Sequence, residues 1–315
     1  METHKSFKKL ANTAALLAAA SFAPHASALY VGMYAIGDFV PAASGGCGGG
    51  DRSAWPGMAK AWWDHMGVHG HYQGPVGNPY SYIDGNMNIS RFCDTSYDAD
   101  CRDHQSANPS GVDWMDAAII ALHGSDNGDH WEGTLRQSNA SIPSSCGIEG
   151  GGSSAEMRVG DSWIMFLHLS SCYSADDDNL DGIRFAMEDT GTSTSRRAHQ
   201  WDGFHGLMWI SSSFNGDYSD VAHDGHSVSV AYSWVTNLYK SDEFDCAWYD
   251  PFGWFGTCSD QCPIAYSISN TTNDALTRLN NERYNMTYGD PPDNTAYAYM
   301  YYGGCDPSGE STWNP

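Results

Sequence analysis

The chain has 315 residues, with 38 acidic against 15 basic side chains and a net charge of −23. A surface this acidic repels nucleic-acid phosphates and anionic membranes, which excludes both as partners. The length fits one large domain, or a domain carrying an extension.

Residues 1–28 read as an export signal. Lys5, Lys8 and Lys9 form a positive head, Leu10 to Ala20 an apolar stretch too short to span a bilayer, and Ala26-Ser27-Ala28 a small-residue cleavage site. No later segment has the length and apolarity of a membrane span, so the expectation is a secreted or periplasmic protein without membrane insertion. The mature part keeps 12 basic and 37 acidic residues.

The mature chain opens with a predicted strand over 29–36, followed by a Gly-rich loop over 43–50. Ser53 can cap a helix with Pro56 in its first turn, and Trp55, Met58, Trp62 and Met66 recur on one helical face. Residues 67–112 are polar and rich in Gly, Asn and Asp, which predicts a long loop with one short strand at most. The run Ala117 to Leu122 is continuously apolar and stops at His123-Gly124; the run Trp163 to Leu169 stops at Ser170-Ser171-Cys172. Such runs read as buried strands of a parallel sheet, and the Gly/Ser-rich 124–160 is then expected to hold the crossover helix. An acidic loop follows Cys172. A third strand is predicted over 204–210, ending at Ser211, Ser212 and Ser213, and a helix over 227–240. Residues 241–315 contain four cysteines, a predicted helix at 273–284 and an alternating Tyr-rich strand from Ala296 to Tyr302. The predicted fold class is therefore α/β, a mainly parallel sheet flanked by helices over 29–240, with a disulfide-rich C-terminal extension (241–315) packed on the same domain.

Nine cysteines are present, so an oxidising compartment leaves one thiol unpaired. Eight lie in polar, loop-like stretches; Cys172 alone caps an apolar strand and is the expected free thiol.

In parallel α/β sheets the chemistry sits beyond the carboxyl ends of the strands. If the two apolar strands are neighbours, their tips lie about 5 Å apart and bring an imidazole to a thiol. The blocks AAIIALHGSDNG and WIMFLHLSSCYSA, with His123 and Cys172 49 residues apart, resemble the signature of the caspase-like (clan CD) cysteine peptidases. The Cys block is most similar to the gingipain-like and CHAT branches, although Ala175 and Ser171 stand where several branches have Gly and an acidic residue. The resemblance implies a secreted cysteine endopeptidase acting on a protein or peptide substrate and requiring no cofactor. In it Cys172 is the nucleophile and His123 the general acid and base. The backbone N–H groups of Gly124 and Cys172 form the oxyanion hole, and Ser211 to Ser213 line the substrate pocket. The alternatives are a catalytically inactive caspase-like binding or adhesion protein on the same scaffold, and a metal-dependent hydrolase.

Two further patterns bear on metals. Asp177, Asn179, Asp181 and Gly182, with Glu188 after five intervening residues, fit the spacing of a calcium loop, making calcium the ion the sequence suggests, against the alternative of a solvated acidic loop. His123, Asp126, Asp129 and His130, and separately His223, Asp224 and His226, are potential divalent-metal ligands, though the first group reads equally well as a turn and the second better as a helix-entry turn. Tyr297, Tyr299 and Tyr301 share one face of their strand and offer a binding surface.

Overall fold

A computed structural model describes residues 28–305, except 96, 103–110, 139–140, 143–145, 152–156, 160–162, 188–197, 242–259, 293–294 and 304. All of the proposed export signal but Ala28 lies outside the described residues, as do Cys246 and Cys258. Among the described residues no helix is long and apolar enough to cross a membrane.

Among the described residues ten strands form two sheets. The large sheet contains β1 (Val31–Ala35), β2 (Ser81–Ile83), β3 (Ala117–Ala121), β7 (Phe166–Ser170), β8 (Gln200–His205), β9 (Cys262–Ser269) and β10 (Ala296–Tyr301), in the order β10-β9-β8-β7-β3-β1-β2. The pairs from β2 through β8 are parallel; β9 runs antiparallel to both β8 and β10. Every residue of β1, β3 and β7 is buried, as a strand covered on both faces requires. The small sheet, β4 (Gly124–Asp126), β5 (Trp131–Thr134) and β6 (Gly147–Gly150), is an antiparallel meander.

Five helices complete the described fold: α1 (Trp55–Val68), α2 (Leu180–Ala186), α3 (Asn215–Asp224), α4 (Val230–Leu238) and α5 (Thr272–Asn281). Helix α1 buries Trp55, Met58, Trp62 and Met66, the predicted face, and starts after Ala54 with Pro56 in its first turn, not after a Ser53 cap. Ser229 and Thr271 cap α4 and α5 by accepting from Tyr232 N–H and Asp274 N–H. Both α1 and α3 pack closely on one another.

Three expectations change. The segment after His123 contains the β4–β6 meander, and no helix is found there among the described residues. The strand expected at 204–210 lies at Gln200–His205, and Gly206, at φ +74°, ends it. Its buried polar residues hid it: Gln200 Nε2 donates to Asp202, and Asp202 Oδ2 stands 2.7 Å from His168 Nδ1 in the neighbouring strand. Finally, β9 and β10 continue the main sheet, so the residues expected as an extension are part of its framework. A disulfide joins Cys262 to Cys305 within this part.

Candidate functional site

Chain order reverses between β1, which leads to β2 on one side, and β3, which leads toward β7 on the other. At such a switch point the connecting loops diverge and open a crevice beyond the carboxyl ends of the strands. His123 follows β3 at this crevice, and Cys172 follows the adjoining strand, β7. In the β3–β7 ladder Ala121 pairs with Ser170, and each of the two residues lies two positions further along its strand. The register therefore places the backbones of residues 123 and 172 on adjoining strand tips.

The ring of His123 is held on three sides. Phe39 and Trp55 each place a ring centre 4.8 Å from its own. The loop after β1 closes over it, and His123 Nε2 lies 2.7 Å from the Gly50 carbonyl oxygen. A carbonyl only accepts, so Nε2 carries the proton and the neutral ring keeps its lone pair on Nδ1. That tautomer can take a proton through Nδ1 while Gly50 fixes its orientation. Gly49, at φ +89°, adopts a backbone conformation that favours glycine, and a Cβ there would stand 3.2 Å from the His123 ring. The loop is stapled by the Cys47–Cys146 disulfide and by Arg136, whose guanidinium donates to the Asp38 carbonyl and carboxylate.

Cys172 is half-buried and is the free cysteine among the described residues. Burial pushes its thiol above the usual value; the Met208 backbone N–H directed at the sulfur and the positive charge of Arg52 partly oppose this. The next residue, Tyr173, has φ +56°, a left-handed conformation rare for a tyrosine, held by its N–H donating to the Gly206 carbonyl at 2.6 Å. Ser174 tightens the same turn, its hydroxyl donating to the Ser171 carbonyl at 2.7 Å.

Gly124 is required for a reason the sequence did not show. A Cβ there would overlap Ser171 Oγ, the Cys172 carbonyl and Trp131 Nε1, so glycine permits the close approach of the two strand tips. Ser211, Ser212 and Ser213 serve a local turn: Ser211 accepts from the Ser213 N–H and meets its hydroxyl at 2.8 Å. None of their hydrogen bonds reaches His123 or Cys172. The neighbouring Met208 contributes the contact to the thiol instead, and neither it nor Gly50 was singled out from the sequence. Both act through backbone atoms, which leave no residue-type signal; the Gly-rich run with Cys47 was the only pointer to the loop.

The residues of the suggested calcium loop are not gathered around one point. Asp177 and Asn179 lie in a single 3-10 turn and Asp181 in the first turn of α2, where an ion-wrapping loop would be extended. Asp177 faces His205 at 3.7 Å, Asn179 donates to the Tyr173 carbonyl, and Asp181 is exposed beside Arg184. Glu188 lies outside the described residues. Asp176, also beside His205, has its carboxyl pushed up to about 6, chiefly by burial. Asp126 accepts from the Gly128 N–H and His130 pairs with Asp129, so this group is the β4–β5 turn and its oxygens do not converge on His123.

No family model, curated protein or solved structure matches this chain.

Proposed function

We propose that the chain is a caspase-like cysteine endopeptidase using a His123–Cys172 dyad. The observation that carries this reading is the β3–β7 register, which sets residues 123 and 172 at adjoining strand tips, with Cys172 a free thiol and His123 Nε2 anchored on Gly50. A mixed sheet that is parallel from β2 through β8, with His123 beside its switch point and Cys172 on the adjoining strand, supports the caspase-like scaffold.

The chemistry follows from the tautomer. His123 Nδ1 accepts the thiol proton as the sulfur attacks the scissile carbonyl carbon, and the backbone N–H groups of Gly124 and Cys172 are the donors for the developing oxyanion. The imidazolium then protonates the departing amine, leaving a thioester. His123 next takes a proton from water, whose oxygen attacks the thioester and releases the acid and the thiol. Because burial raises the thiol, the resting enzyme holds a neutral Cys172, and proton transfer to His123 accompanies the attack.

The test is hydrolysis of a fluorogenic peptide library by the purified protein. Cys172→Ala should abolish turnover, and His123→Ala should lower kcat/KM by about 10²–10⁴-fold. Alkylation of Cys172 by a neutral reagent should keep accelerating above the ordinary thiol pKa of about 8.5. Undiminished turnover by Cys172→Ala, or no turnover of any library member by the wild type, overturns the proposal.

A further inference from the structure

Helices α1 and α3 bring five histidines together at the end of α1 remote from the dyad. Trp55, at the start of α1, packs against His123; His65 lies ten residues later, about 15 Å along the axis. Two of the five are fully committed. His71 Nδ1 accepts from the Leu29 N–H, so its Nε2–H donates to His226 Nε2 at 2.7 Å, and His226 Nδ1–H donates to the Ala222 carbonyl at 2.7 Å. These are ordinary hydrogen bonds with every proton accounted for.

The other three are arranged differently. His65 Nε2 and His69 Nε2 both point at His223 Nδ1, from 3.3 and 3.4 Å, and all three nitrogens lie within 4.8 Å of one another. One imidazole nitrogen carries either one proton or one lone pair, so His223 Nδ1 cannot form good hydrogen bonds to both partners. A shared cation resolves the conflict. Tetrahedral Zn²⁺ with Zn–N bonds of about 2.0–2.1 Å sets its ligand nitrogens about 3.3–3.4 Å apart. Adding the radius of the ring places ligand ring centres about 5 Å apart; here they are 5.2, 5.3 and 5.5 Å apart.

The surroundings support the same reading. Ser219 Oγ lies 2.9 Å from His65 Nδ1; accepting that nitrogen's proton, it leaves the Nε2 lone pair facing the other two rings. The His226 ring stacks on His69 at 3.9 Å and fixes its plane. His65 and His69 are four residues apart on one helical face, and His223 is in the last turn of α3. Both helices thus direct their C-terminal ends, the negative ends of their dipoles, at the same point.

We infer that His65, His69 and His223 bind one divalent transition ion of the Zn²⁺ class through three imidazoles. His69 and His223 are exposed, so water completes the coordination. The ion pins α1 to α3 and is separate from the proposed dyad.

The experiment is a titration of the full-length, chelator-stripped protein with zinc alone, followed by calorimetry, with cobalt as an optical probe of coordination. The wild type should take up one equivalent, give a tetrahedral cobalt spectrum and melt at a higher temperature with zinc. His65→Ala, His69→Ala and His223→Ala should each weaken binding by more than the roughly 10–100-fold typical of losing an orienting neighbour, and Ser219→Ala by an amount within that range. His130→Ala, far along the chain and outside the cluster, should bind as the wild type does. Circular dichroism of the metal-free variants checks that each is folded, and the exposed His69→Ala provides the least disruptive case. No site in the wild type tighter than millimolar, or a stoichiometry and affinity unchanged in the folded His65→Ala and His69→Ala proteins, overturns the assignment.

Discussion

Replacing Cys47 and Cys146 together by alanine tests how the loop over His123 is held. The bond joins residues 99 apart in sequence, so cutting it frees a long loop in the unfolded chain. Chain-entropy reasoning sets the loss near 4.7 kcal/mol for a loop of about 100 residues. The Cys93–Cys101 bond lies inside that loop and shortens it only slightly. In the folded state, Arg136 to Asp38 and the Gly46–Gln137 bridge still tie the loop down, so the native structure survives with a weaker clasp. We expect a loss of about 3–5 kcal/mol, which lowers the melting midpoint by about 10 °C at a few degrees per kcal/mol. Urea denaturation under non-reducing conditions measures it, with the other disulfides intact in both proteins. If the peptidase reading holds, kcat should also fall with little change in KM, because the Gly50 carbonyl pins the His123 tautomer less firmly. An unchanged midpoint would refute the argument that this bond closes the loop.

Two further outcomes follow from buried polar groups. Tyr284→Phe removes a hydroxyl that accepts from Trp62 Nε1–H at 3.0 Å and meets His168 Nε2 at 2.9 Å, all buried. Leaving two such groups without partners should cost about 2–5 kcal/mol, read by urea denaturation; a loss below 1 kcal/mol would show that water replaces the hydroxyl. Asp116 has its carboxyl pushed up to about 6 by burial, despite the Tyr30 N–H donating to it at 2.6 Å. Between about pH 4 and 6 the folded state then holds a proton that the unfolded chain has released, so stability declines as pH rises through this window. The loss is about 2–3 kcal/mol at 1.36 kcal/mol per unit. Asp116→Asn should remove this decline and be the more stable protein at pH 7; identical pH profiles of the two would end the argument.

The central strands were legible because their burial is total. Strands β1, β3 and β7 are covered on both faces, so their sequences are continuous apolar runs, and His123 and Cys172 stand out as the first reactive groups after them. Helix α1 was readable from its spacing of Trp and Met. Strand β8 was not, since Gln200 donates to Asp202 and Asp202 faces His168 inside the sheet, and polar residues ordinarily signal exposure. Helix α3 has the composition of a loop, Asn, Gly, three Asp and a His, and forms because Tyr218, Val221 and Ala222 find cover against the core. The histidine cluster combines an i, i+4 pair visible on α1 with a third ring more than 150 residues away, and no local pattern reports such a meeting.

The pairing of Asp202 with His168 also acts as a key for alignment. Side chains alternate faces along a strand, so sliding β8 by one residue against β7 would turn Asp202 and Gln200 to the opposite face and strand a carboxylate among apolar neighbours. Only one alignment of the two strands is tolerable. Because Gly206 and Met208 follow directly from β8, the same lock decides where the amide directed at the sulfur stands, three pleats away from the residues that enforce it.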